Sequence, residues 1–162
     1  MPSASPPVRN GFYTSADLSP EDSVGYLMRK VLSSIRTQAD GQLATHDLTY
    51  AQWLPLYKIS RCKDTTVASL ARDLENDPAA MTRALDRLET KGLVLRERST
   101  TDRRVVQLAL TADGQKAAAQ VPAVLSDVLN GHPSDLTRDE WQTLLGLLRP
   151  MFANGDALRQ HA

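Results

Sequence analysis

Between Tyr50 and Leu110 the apolar residues change period in a fixed order, and that order limits the possible folds most sharply. Thr49 can cap a helix over Tyr50–Ser60 that carries Trp53, Leu56 and Tyr57. Pro55 falls about one turn inside it, where a missing N–H is still tolerable or produces a slight bend. A basic loop of Arg61, Cys62 and Lys63 follows, and Thr65 or Thr66 opens a short helix over Val67–Leu74. Its apolar face is Val67, Leu70, Ala71 and Leu74. Asn76-Asp77-Pro78 then starts another helix, with an acid able to cap and proline at the first helical position. This helix runs to about Lys91, with Met81, Leu85 and Leu88 inward and Ala79, Thr82, Arg83 and Asp86 outward. Gly92 stands where a left-handed cap is expected. Beyond it the period drops to two: Leu93–Arg98 reads as a strand, Ser99–Asp102 as a polar turn, and Arg104–Leu110 alternates as a returning strand.

The flanks read as helices. Residues 1–18 are rich in Pro, Ser and Ala without an apolar period, as expected of a flexible arm. Ser19-Pro20-Glu21-Asp22 is a helix start, and Val24, Leu27, Met28, Val31, Ile35 and Leu43 recur at helical spacing to about Gln42. Thr111 caps a long helix over Ala112 to about Asn130, with a bend expected at Pro122. A last helix starts around Leu136–Glu140, with Trp141, Leu144, Leu145, Leu148 and Met151 on one side. The expected fold is mainly α with a small β-hairpin wing (α+β). A winged helix-turn-helix over 48–111 would be joined to a helical region built from 19–47 and 112–162.

Two short helices followed by a hairpin form the winged helix-turn-helix order. The major groove of DNA, about 12 Å wide, admits one helix, and side chains near that helix's start reach base edges. Small Ala79 and Ala80 beside Thr82 and Arg83 permit close approach, and arginine can donate two hydrogen bonds to guanine. Arg103 and Arg104 at the hairpin tip suit a narrow minor groove. Formal net charge is zero. From Lys58 to Arg104, however, eleven basic residues stand against eight acidic ones, a mild local excess. Taken alone, a Thr/Arg helix face or a two-Arg hairpin also fits an ordinary solvated surface. The joint order is what points to DNA.

Several stretches carry a family resemblance: 48–56 (LTYAQWLPL), 66–71 (TVASLA), 81–94 (MTRALDRLETKGLV), and Asp102-Arg103-Arg104 followed by 108–111 (LALT). In this register the chain resembles the multiple antibiotic resistance regulator (MarR) family of bacterial transcription regulators. The motifs span about 48–114, and the helix layout extends the resemblance over about 20–152. Asp77-Pro78-Ala79-Ala80 departs from the hydroxyl-rich helix start common in that family. The resemblance implies an obligate homodimer on double-stranded DNA, usually a repressor, reading an imperfect palindrome. It implies DNA contacts at Thr66, Ser69, Ala79, Thr82, Arg83, Arg87, Asp102, Arg103 and Arg104. It places the dimer region in the first and last two helices, where Val31, Ile35, Leu125, Val128, Leu144, Leu145 and Leu148 are more apolar surface than one small winged domain can cover.

The resemblance also implies release by a small aromatic or phenolic acid, with Met28, His46, Trp53 and Tyr57 as the candidate pocket. Read singly, Trp53 is a core residue and His46 a surface or capping histidine. Two other readings stay open. The single cysteine, Cys62, flanked by Arg61 and Lys63, could serve a redox-responsive regulator if those cations lower its pKa. The chain could also be an interaction module that has lost DNA binding, against which Thr82, Arg83 and Arg104 speak. No phosphate loop, nucleophile elbow or metal-spaced His/Cys cluster is found, and no enzyme, cofactor or metal is expected. One cysteine allows no intrachain disulfide, and no apolar run approaches the roughly 20 residues that cross a bilayer. These features and the absence of a signal-peptide layout lead to a cytoplasmic expectation.

Overall fold

The computed structural model describes residues 11–63, 65–99, 102 and 104–160, of Gln160 the backbone only. The chain divides into two compact units, the first ending at Ser34 and the second beginning at Ile35.

In the first unit the expected helix start is displaced. Pro20–Asp22 forms one 3-10 turn, Ser23 is extended, and helix α1 begins only at Val24, running to Leu43. The cause is local hydrogen bonding. The Ser19 hydroxyl donates to the Glu21 carboxylate (2.8 Å) instead of capping a backbone group. The Ser23 hydroxyl takes the capping role and accepts the Tyr26 N–H (3.2 Å). Part of the expected arm has a defined conformation: the Tyr13 hydroxyl accepts the Val24 N–H (2.9 Å), and Thr14 and Asp17 close a turn (2.7 Å). Val24, Leu27, Met28, Val31 and Leu32 all lie exposed along α1.

The second unit holds the core. Ala39 and Leu43 of α1 are fully buried, and the Asp40 carboxylate accepts the Tyr50 N–H (2.6 Å) at the start of the next helix. That helix, α2 (Tyr50–Arg61), opens on a capping box between Thr49 and Gln52 and runs unbroken past buried Pro55. Next come α3 (Val67–Asp73) and α4 (Pro78–Thr90), then strands β1 (Val94–Arg98) and β2 (Val106–Leu110). The strands pair antiparallel, with Val94 opposite Leu110 and Arg98 opposite Val106. The long helices α5 (Ala112–Gly131) and α6 (Arg138–Gln160) complete the order, and α5 is continuous through Pro122. Leu56, Leu70, Met81, Leu85, Leu88, Val94, Val121 and Val128 converge in one cluster. This is the expected mainly α fold with a two-stranded wing.

Two junctions fix the wing against the helices. The Leu108 N–H donates to the Thr65 carbonyl (2.7 Å), so the segment before α3 extends the hairpin's edge. At the head of α5, the Thr111 hydroxyl donates to the Gly92 carbonyl (2.6 Å) and accepts the Gly114 N–H (2.9 Å). Gly114 is required here on steric grounds, because a Cβ would lie 1.9 Å from the Leu93 carbonyl oxygen.

Candidate nucleic-acid interface

Helix α4 departs from a turn that demands special backbone. After α3, Glu75 adopts a left-handed conformation (φ 49°). The Glu75 N–H donates to the Arg72 carbonyl (3.2 Å) and the Asn76 N–H to the Ala71 carbonyl (2.9 Å). This is the glycine-type ending of a helix made with a non-glycine residue, at a cost of order 1 kcal/mol. The Asp77 carboxylate then caps α4 by accepting the Ala80 N–H (2.9 Å). At the far end Gly92 is left-handed (φ 70°), as expected, and the Gly92 and Leu93 N–H groups close the helix onto the Glu89 and Leu88 carbonyls (both 2.9 Å).

The faces of α4 differ sharply. Met81, Leu85 and Leu88 are buried in the core. Ala79, Ala80, Thr82, Arg83 and Arg87 are exposed. Thr82 turns its hydroxyl back to the Pro78 carbonyl (2.9 Å). Neither Arg83 nor Arg87 forms an ion pair among the described residues, so both guanidiniums remain available to a polyanion. Arg96 behaves oppositely. From β1 its guanidinium donates to Asp86 (2.6 Å) and to Glu89 on α4, and the Asp86 carboxylate pushes its pKa up. Lys91 bonds the Asp47 backbone carbonyl and carboxylate (3.1 Å to the latter) and the Gln52 amide (3.4 Å), so α4 is tied to the start of α2 as well. Sequence reading missed both links. Opposite charges at Asp86, Glu89 and Arg96 were the visible signal for the first; nothing local marks the second.

The remaining DNA candidates fall in two places. Thr66 and Ser69 engage each other: the Thr66 hydroxyl accepts the Ser69 N–H (3.0 Å) and the Ser69 hydroxyl accepts the Thr66 N–H (2.8 Å). Their hydroxyls therefore serve first to cap α3. On the wing, Arg104 is exposed and Asp102 accepts its backbone N–H (3.0 Å). The carboxylate shapes the turn, and no ion pair joins it to the Arg104 guanidinium, among the described residues. Arg103 lies outside the described residues.

The ligand candidates separate. Trp53 and Tyr57 share one mostly apolar cavity of about 250 Å³ with Val121, Pro122, Leu125 and Leu129, their ring centroids 6.5 Å apart. The Trp53 indole Nε1 is buried without a hydrogen-bond partner among the described residues. His46 lines a different cavity with Gln42, Thr45 and Asp127. Met28 lies on the exposed face of α1 in the first unit. Cys62 is exposed at the rim of a larger cavity, about 870 Å³, lined by Arg61, Gln107 and Gln115.

The dimer candidates also divide. Leu125 and Val128, expected at an interface between copies, are 5% and 2% exposed within this chain's own core. They pack in the same cluster as Leu43 and Leu56, a long-range burial that helical spacing alone does not reveal. Ile35 is half-buried against that cluster. Val31 and Leu144 are exposed, and Leu145 and Leu148 half-exposed. No described side chain of α6 is buried: Leu147, Phe152 and Leu158 are each at least 60% exposed, and Trp141 and Met151 also reach solvent.

The family model for the MarR family matches residues 48–106, the stretch that contains α2, α3, α4 and β1. The HTH-type transcriptional regulator SarZ of Staphylococcus haemolyticus is 30% identical over 69% of this chain and 75% of its own length. The chain belongs to the MarR family. A mutant of MarR from E. coli, complexed with operator DNA, is 32% identical with a TM-score of 0.70, covering 78% of this chain and 91% of that one. A MarR-family protein of Mycobacterium tuberculosis, in complex with salicylic acid, is 27% identical with a TM-score of 0.67, covering 84% and 98%. MarR-family members are transcription regulators, not enzymes. No described helix of this member is long and apolar enough to cross a membrane.

Proposed function

We propose that this MarR-family regulator binds double-stranded DNA as a homodimer, with α4 in the major groove and the wing in the minor groove, and represses transcription until a small aromatic acid releases it. The observation that carries the DNA reading is the division on α4. Arg83 and Arg87 face outward beside Ala79 and Ala80 and form no ion pair among the described residues, while Arg96 and Lys91 hold the helix from behind. A helix braced from behind, with outward guanidiniums beside small residues, can approach base edges closely in a groove. The E. coli MarR complex with operator DNA supports the same use of the fold. Dimerisation is supported by α6, none of whose apolar side chains is buried among the described residues, more exposed apolar surface than scattered surface hydrophobics explain.

The effector site is assigned to the cavity of Trp53 and Tyr57. Its walls are apolar and aromatic, a lining against which the ring of a small aromatic acid can pack. The salicylic acid complex of the M. tuberculosis relative favours this ligand class. Binding must differ between DNA-competent and DNA-incompetent arrangements for release to follow. The test titrates salicylate into a Trp141→Phe variant, so that Trp53 alone reports. Quenching and loss of DNA retardation are expected over the same concentrations. Quenching with unchanged DNA affinity overturns the coupling, and retardation of no DNA from a random pool overturns the function.

A further inference from the structure

Helix α6 has no buried side chain among residues 138–159, yet its last turn is fastened to the helix-turn-helix. The Arg159 guanidinium makes two parallel hydrogen bonds to Glu75, Nη2 to Oε1 (2.8 Å) and Nη1 to Oε2 (3.1 Å), and Asp156 bonds the same Nη2. Glu75 is the left-handed residue of the turn between α3 and α4, two positions before the Asp77 cap. Two-point pairing by a planar guanidinium restricts orientation as well as distance, which a single ion contact does not. The grip thus falls on the backbone position that sets the direction in which α4 leaves α3.

We propose that Arg159 and Glu75 are positioning residues for DNA recognition, through which the last helix sets the aim of α4. The proposal rests on the reading of α4 as the groove-entering helix. Both partners are well exposed, with 59% and 44% of their side-chain surface open, so solvent screening keeps the effect modest. About a two- to fivefold change in affinity is expected, fading as salt rises.

Charge alone and positioning predict different outcomes, which makes the idea testable. Glu75 is an acid in the helix-turn-helix. On charge alone, Glu75→Gln would strengthen binding to every duplex. If it positions α4, Glu75→Gln instead lowers the preference for selected sequence over random duplex. The experiment uses the full chain and a duplex enriched from a random pool by the wild-type protein, beside a scrambled duplex of equal length. Arg159→Gln and Glu75→Gln should each reduce the ratio of the two affinities two- to fivefold at low salt. The charge-reversed pair Arg159→Glu with Glu75→Arg should recover most of it, at unchanged net charge. Wild-type ratios in both single variants, or no recovery in the reversed pair, would overturn the proposal. Arg83→Ala, measured alongside, separates the two claims. If it keeps wild-type sequence preference, the assignment of α4 itself fails; if it loses preference while the Arg159 variants do not, only the link from α6 fails.

Discussion

Helices α4 and α6 are both amphipathic, but their apolar residues meet different fates. On α4, Met81, Leu85 and Leu88 are at most 1% exposed, and ion pairs from β1 and from the α1–α2 junction brace the helix. On α6, a 23-residue helix about 34 Å long, no described side chain is buried. The chain therefore buries the apolar face of α4 by itself and leaves α6 without a buried side chain among the described residues.

The largest expected effect comes from attacking α6. Leu147→Asp with Phe152→Asp should leave the second unit's core intact, because neither residue contributes to it. Two linked half-sites then become two separate ones, and DNA affinity should fall by about a hundredfold or more. Sedimentation should show monomers with native helical circular dichroism. Dimers of normal DNA affinity in this variant would erase the contrast between the helices.

The converse attack is on the self-sufficient region. Gly114→Ala forces a Cβ against the Leu93 carbonyl, where backbone must move on both sides. A loss of about 3 kcal/mol is expected, at the upper end of overpacking costs, read as a lower urea midpoint. An unchanged midpoint would mean that the wing and α5 are not locked together as described.

Within the reading head, helix and wing should part company. Arg83→Ala should cost about 1–3 kcal/mol and flatten preference at one position per half-site. Arg104→Ala should weaken binding to many sequences by a similar factor, with a shallower salt dependence, since the minor groove distinguishes little beyond A·T from G·C. Binding both variants to one duplex library at two salt concentrations checks this, and identical preference profiles would reverse the roles. The smallest effect belongs to Thr66→Ala. With its hydroxyl committed to the α3 cap, it should lose about 1 kcal/mol of stability and little sequence preference.

What was legible in the sequence follows the range of the interactions involved. Asp77-Pro78 and Gly92 marked the ends of α4 because caps and left-handed residues are decided within a few positions. The outward place of Arg83 followed from helical spacing. The start of α1 was misplaced because Ser19 and Ser23 compete for the same role and only hydrogen bonding decides between them. Longer-range features were out of reach. Leu125 and Val128 carry the same periodic signal as Leu144, and spacing does not tell which stripe the chain's own core will cover. The Thr65–Leu108 bond and the Arg159–Glu75 pair join positions 43 and 84 residues apart, with no local trace in composition. Asp102 stands in the wing's turn, as the polar run before Arg104 suggested, and its carboxylate accepts the Arg104 backbone N–H, a detail that spacing alone does not reveal.

The central claim is that one copy supplies a complete reading head and two copies make the regulator. The most direct test is to select duplexes from a random pool with the wild-type chain and to determine sequence and stoichiometry on the winners. The account predicts an imperfect palindrome with half-site centres about one helical turn, roughly 10 base pairs, apart and two chains per duplex. Enrichment of a single unrepeated motif bound by one chain, or no enrichment at all, would contradict it.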